Sequence, residues 1–124
     1  MLKDTFFSIK DSVDVENGRN YRIALNDAHP IFQAHFAGNP IIPGACVMQL
    51  IKELATNYFK RHFFAGTVKN MKFLQVINPL ESPEISVKLV FTQLETGRIS
   101  VASELSDKGK IFSKSMLILE NDYD

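Results

Sequence analysis

The sequence predicts an α+β domain in which a mainly antiparallel sheet curls around one long buried helix. Three observations carry this expectation. Apolar residues alternate with polar ones in segments on both sides of the chain's centre. One central segment repeats them instead at three- and four-residue intervals. Turn residues separate the alternating segments.

Taken in order, Val13 and Val15, then Asn17-Gly18, then Tyr21, Ile23 and Leu25 describe a β-hairpin around a dipeptide favoured in tight turns. The helix is predicted from about residue 43 to about residue 59, because Val47, Leu50, Ile51, Leu54 and Tyr58 fall on one stripe. Pro43 suits its first turn, where a missing N–H costs no hydrogen bond. The opening residues GACVM are small or apolar on every side, which a surface helix would not need, so the helix is expected to be buried. TVKNMKFLQVI, residues 67–77, reads as a strand ending at Asn78-Pro79. Ile85, Val87, Leu89 and Phe91 make the next strand, Thr96-Gly97 a turn, and Ile99, Val101, Ser103 and Leu105 another strand. Asp107-Lys108-Gly109-Lys110 supplies a turn, and IFSKSMLIL a last strand whose end is apolar on both faces. Such a sheet must curl to cover the helix.

At 124 residues and 45% hydrophobic composition, the chain is expected to form a single domain, residues 1–124. Fourteen basic and fourteen acidic side chains balance, so the total charge points to neither nucleic acid nor an acidic tail. The distribution is less even. Lys52, Lys60, Arg61, Lys69 and Lys72 stand against Glu53 alone within residues 52–72, a local excess of four positive charges. With one cysteine, Cys46, no internal disulfide can form and a reducing compartment is expected. The first residues lack a secretory leader pattern, and no apolar run approaches the roughly 18 residues of a membrane span, so a cytoplasmic location away from membranes is expected.

Other residue types narrow the chemistry. His29 and His62 have no cysteine or carboxylate at ligand spacing, and no metal is expected. Cys46, in the first helical turn, is read as a small buried filler rather than a reactive thiol. The serines lack the glycine-framed elbow of an acyl-transfer nucleophile. Phe59, Phe63 and Phe64 are read as core or subunit contacts, or as the wall of an acyl tunnel.

The stretch His35-Phe36-Ala37-Gly38-Asn39-Pro40-Ile41-Ile42-Pro43-Gly44 resembles the H-F-P-G-x-P-x-x-P-G signature of the 3-hydroxyacyl-[acyl carrier protein] dehydratases of the FabZ and FabA type. His29 to Ala34 resembles the lead-in to that signature, and KFLQVINPLESP the strand and turn that follow its helix. The resemblance covers nearly the whole chain and implies the hot-dog fold. Two positions depart from it: Ala37 stands where the family has proline, and Gln49 stands on the helix where it has glutamate or aspartate.

Dehydration of a 3-hydroxyacyl thioester to the trans-2-enoyl thioester needs three groups. A base removes the proton beside the carbonyl, a donor stabilises charge on the carbonyl oxygen, and an acid protonates the leaving hydroxyl. The resemblance assigns the first role to His35, whose neutral imidazole accepts a proton near neutral pH. It assigns the second to the N–H of Gly44 at the positive end of the helix. Gln49 can orient the hydroxyl but holds no titratable proton, and loss of a general acid typically costs about 10²–10⁴-fold. Glu53, four residues on, either approaches the same cavity or pairs with a surface lysine. Phe36, Pro43, Ala45 and Glu53 are the expected substrate contacts.

The resemblance also implies partners. Two protomers pair their sheets edge to edge, as a homodimer or higher oligomer, or as a heterodimer with another hot-dog protein, and the active site lies between them. Substrate arrives on the phosphopantetheine of acyl carrier protein, an acidic partner, with no other cofactor. Lys60, Arg61, Lys69 and Lys72 are the expected docking residues. Two readings stay open beside the dehydratase of fatty-acid or polyene-type synthesis: a non-catalytic acyl-binding or partner subunit, and a hot-dog thioesterase.

Overall fold

Period-two alternation in the sequence becomes six strands in the structure, a computed structural model that describes residues 2–34, 40–95 and 97–121. The order is β1 (Phe7–Val15), β2 (Gly18–Leu25), α1 (Pro30–Ala34), α2 (Gly44–Phe59), β3 (Phe63–Phe73), β4 (Glu84–Gln93), β5 (Arg98–Asp107) and β6 (Lys110–Asn121). Every strand pairing is antiparallel, in the spatial order β1-β2-β4-β5-β6-β3, so β1 and β3 are the two edges.

The helix stripe read from the sequence is the one that packs. Val47, Leu50, Ile51, Leu54 and Ala55 are buried, and so are Ile23, Ile85, Val87, Leu89, Val101 and Leu105 from the sheet. Tyr21 fastens β2 to α2: its hydroxyl donates to Asn57 Oδ1 at 3.0 Å and to the Leu54 carbonyl at 3.3 Å. The late part of β6 is apolar on both faces, as expected, since Leu117, Ile118 and Leu119 are all buried. The chain has no helix, among the described residues, that is long and apolar enough to cross a membrane.

Three local expectations are corrected. Pro43 is the N-cap of α2 rather than its first-turn residue, with extended backbone at φ −65° and ψ 149°. The strand expected over residues 67–77 begins earlier and ends earlier, as Phe63–Phe73. Its end has a cause: the Leu74 and Gln75 N–H groups both turn onto the Phe112 carbonyl, at 2.8 and 3.2 Å, and the Ile77 carbonyl then accepts the Ile42 N–H at 3.0 Å. The chain thereby leaves the sheet and crosses to the loop that enters α2.

The hairpin is where it was read, but its glycine acts differently. Val15 pairs with Gly18, so Glu16 and Asn17 make the turn, and Asn17 takes the left-handed conformation at φ 60°. Gly18 lies in the ladder itself, where an added Cβ would sit 1.9 Å from the Leu89 carbonyl oxygen of β4. Gly18→Ala is therefore expected to destabilise the protein by about 1–3 kcal/mol, because a backbone atom cannot step aside as a side chain can. Urea unfolding of the purified variant measures this; an unchanged midpoint would show that the two strands do not approach so closely.

Candidate functional site

The proline-framed loop before α2 ends at a helix terminus prepared to donate hydrogen bonds. Pro43 offers no side-chain acceptor, and no side-chain cap bonds the helix start. Its carbonyl takes the N–H of Cys46 at 3.0 Å and of Val47 at 3.2 Å. The N–H groups of Gly44 and Ala45 come before these and are among those an α-helix leaves without an internal acceptor. The dipole adds positive character there.

Gly44 lies in a groove of about 310 Å³ with Ile41, Ile42, Val47 and the crossing segment Phe73–Ile77. The Phe73 ring lies over the helix start: a Cβ at position 44 would be 3.0 Å from its tip. Glycine thus lets a ring, or a flat acyl group in its place, approach the helix terminus. Phe73 was not singled out from the sequence, although alternation along β3 puts it on the same face as Met71.

Gln49 faces elsewhere. It lines a second groove of about 240 Å³ with Ala45, Met48, Lys52, Gly66, Val68, Leu117 and Leu119. The two grooves share no lining residue. Five residues of helix separate Gly44 from Gln49, which turns them about 140° apart. Both grooves run along β3, the exposed edge strand, whose Val68 and Phe73 are 43% and 53% exposed.

Glu53 has a role that spacing alone did not reveal. It is 5% exposed, yet the surface lysine weighed as a partner is not what its carboxylate meets. The Leu2 N–H donates to both oxygens, at 3.0 Å to Oε1 and 2.8 Å to Oε2. The Lys3 N–H donates to Oε1 at 2.7 Å, and Gln49 Nε2 donates to Oε2 at 2.8 Å. Because a carboxylate only accepts, the NH₂ end of Gln49 must point at it, leaving the carbonyl oxygen and the second N–H for the groove.

The remaining expected site residues sort by position. His35 and Phe36 lie outside the described residues. Pro43 and Ala45 stand at the helix start, half-buried and exposed respectively. Lys60 and Arg61 are exposed at the end of α2, with Lys60 in the left-handed C-cap conformation at φ 57°, while Lys69 and Lys72 are exposed along β3. These four do not form one compact patch; they run from the far end of the helix to the residue beside Phe73. Of the aromatic trio, Phe63 is buried, and Phe59 packs edge-on against Phe63 and Phe91, with ring centroids 5.9 and 4.7 Å away. The Phe64 side chain lies outside the described residues.

The family model described as ApeI-like, ApeI dehydratase, matches residues 12–114. The chain belongs to this ApeI-like family. Among relatives, the 3-hydroxyacyl-[acyl-carrier-protein] dehydratase FabZ of Latilactobacillus sakei is 36% identical over 74 residues, which cover 54% of this chain and 51% of that protein. The chain thus spans about half the length of that enzyme. The FabZ of Acetivibrio thermocellus is 26% identical over 125 residues, covering 88% and 84%. The dehydratase heterocomplex ApeI:P from Xenorhabdus doucetiae superposes with a TM-score of 0.65 at 13% identity, over 89% of this chain and 96% of that one. A likeness at that identity is one of fold, and the fold is the hot-dog arrangement of a sheet around a central helix.

The Cys46 side chain lines neither groove. It is buried, and burial pushes its thiol up, so that less thiolate exists at any pH than for a free cysteine. Alkylation of the folded protein near neutral pH is expected to be slow and to accelerate in denaturant. Mass spectrometry of iodoacetamide-treated samples checks this, and labelling as fast as that of free cysteine would contradict the burial.

Proposed function

We propose that this chain dehydrates 3-hydroxyacyl thioesters, delivered on the phosphopantetheine of acyl carrier protein, to trans-2-enoyl thioesters in fatty-acid or polyene-type lipid synthesis. The observation that carries the reading is the division of one helix between two grooves. Gly44 lines one and Gln49 lines the other, both beside the edge strand β3. A composite site needs this layout: a second hot-dog chain set against β3 brings its own glutamine to the first chain's helix terminus.

In this reading His35 takes the proton from the carbon beside the thioester carbonyl. The Gly44 N–H stabilises the negative charge on the carbonyl oxygen, and the partner's glutamine orients the hydroxyl. As the new double bond forms between the two carbons, the C–O bond breaks, and the proton held on His35 passes to the hydroxyl, which leaves as water. A single imidazole then serves as both base and acid, because Gln49 has no proton to give.

A second reading has its own support. The Xenorhabdus neighbour is a dehydratase heterocomplex, and Gln49 stands where an acid is expected. The chain then serves as the acyl-binding partner of a complete dehydratase. An assay with a 3-hydroxyacyl carrier protein, following the enoyl product, separates the two. Under the first reading, wild type turns over and His35→Ala falls by about 10²–10⁴-fold. An inert wild type that becomes active only when mixed with a second hot-dog protein supports the other reading.

Docking has a separate test. Lys60 and Arg61 are exposed and positive, and acyl carrier protein is acidic. The Lys60→Glu/Arg61→Glu double variant is expected to weaken carrier-protein binding at low salt and to reduce its salt dependence. Calorimetry at two ionic strengths measures this, and unchanged affinity at low salt would remove these residues from the docking face.

A further inference from the structure

We infer that Glu53 is a positioning residue, holding Gln49 by its amide N–H so that the carbonyl oxygen of Gln49 meets the substrate hydroxyl as a fixed acceptor, and anchoring that geometry to the backbone of Leu2 and Lys3. The inference rests on the reading of Gln49 as the group that orients the hydroxyl, and it adds the reason such a group can act without being an acid.

The argument begins with chemistry. A glutamine at a groove has three rotatable bonds and two interchangeable ends, so alone it presents donor and acceptor by turns. Glu53 removes the ambiguity: it accepts from Gln49 Nε2 at 2.8 Å, and an acceptor-only carboxylate admits only the NH₂ end. The i,i+4 spacing on α2 puts the two side chains in register. Glu53 is itself held still. It is 5% exposed, and its oxygens receive the Leu2 and Lys3 N–H groups at 2.7–3.0 Å, so it cannot follow Gln49 into the groove. Around Gln49 the lining is otherwise apolar except for Lys52, which leaves few competitors for its carbonyl oxygen.

The arrangement has a corollary that tests it. A carboxyl placed at position 49 would not behave as an independent acid, because it would lie within hydrogen-bonding distance of Glu53. Two carboxylates so close share one proton. Exchanging both residues restores one carboxyl and one amide.

The experiment compares wild type, Glu53→Gln, Gln49→Glu and the exchange variant Gln49→Glu/Glu53→Gln, using the full chain with whatever partner it requires. Carbon-detected NMR follows the carboxyl titrations, and steady-state assays with 3-hydroxyacyl carrier protein follow kcat and KM. In Gln49→Glu, the two carboxyls are expected to titrate as a coupled pair. In the exchange variant the remaining carboxyl should titrate alone. In Glu53→Gln, kcat is expected to fall about tenfold with KM changed by less than about twofold, since orientation rather than binding is lost. Independent titration of both carboxyls in Gln49→Glu, or an unchanged kcat in Glu53→Gln, would overturn the inference. Coupled titration with no turnover by any variant, alone or with a partner, upholds the contact and counts against the dehydratase reading instead.

Discussion

Burial of α2 against the concave side of the sheet is the constraint from which the site follows. Leu50, Ile51 and Leu54 are 0% exposed, and each such side chain contributes about 1.5–3 kcal/mol by leaving water. That sum fixes how the helix is rotated about its axis. Once the rotation is fixed, Gly44 at the first turn and Gln49 in the second have no choice of direction, and each opens onto its own groove. The same anchoring holds the helix start against the crossing segment, where Ile77 and Ile42 are joined backbone to backbone. The placement of Gly44 and Gln49 is thus a product of core packing.

Polar groups within this core are treated unequally, and the contrast is informative. Glu53 is a buried carboxylate whose oxygens meet three donor groups, so its burial is compensated. Ser103 and Ser115 face each other across β5 and β6 and share a hydrogen bond. Ser113, one step along the same face of β6, has a buried hydroxyl with no partner among the described residues. An unmet hydroxyl costs about 1–3 kcal/mol. The inner face of β5 and β6 therefore carries polar side chains, whereas the buried stripe of α2 formed by Val47, Leu50, Ile51, Leu54 and Ala55 is apolar.

Much of the fold was legible because its elements obey one period each. The β4 and β5 alternation and the α2 stripe survive into the structure almost residue for residue, since most inward positions there have nothing to do but pack. Legibility failed where a residue serves the backbone of another element. Gly18 looked like a turn residue because Asn17-Gly18 is a turn dipeptide, yet what demands glycine is the Leu89 carbonyl, 71 positions away in the chain. The end of β3 differs for a similar reason: Leu74 to Ile77 continue an apolar strand pattern, but Leu74 and Gln75 both donate to the Phe112 carbonyl and Ile77 accepts from Ile42 at the helix entry. At the site, the motif named Gly44 and Gln49 by type. It did not reveal that Glu53 belongs with Leu2 and Lys3, since a contact between residues 50 positions apart leaves no periodic trace.

The docking of Leu2 and Lys3 onto Glu53 has a practical side. The backbone amides of Leu2 and Lys3 supply three of the carboxylate's four hydrogen bonds and Gln49 the fourth, so the segment leading into β1 is tied directly to the helix that carries Gln49. A change in this segment would reach the groove through Glu53, although neither Leu2 nor Lys3 lines it.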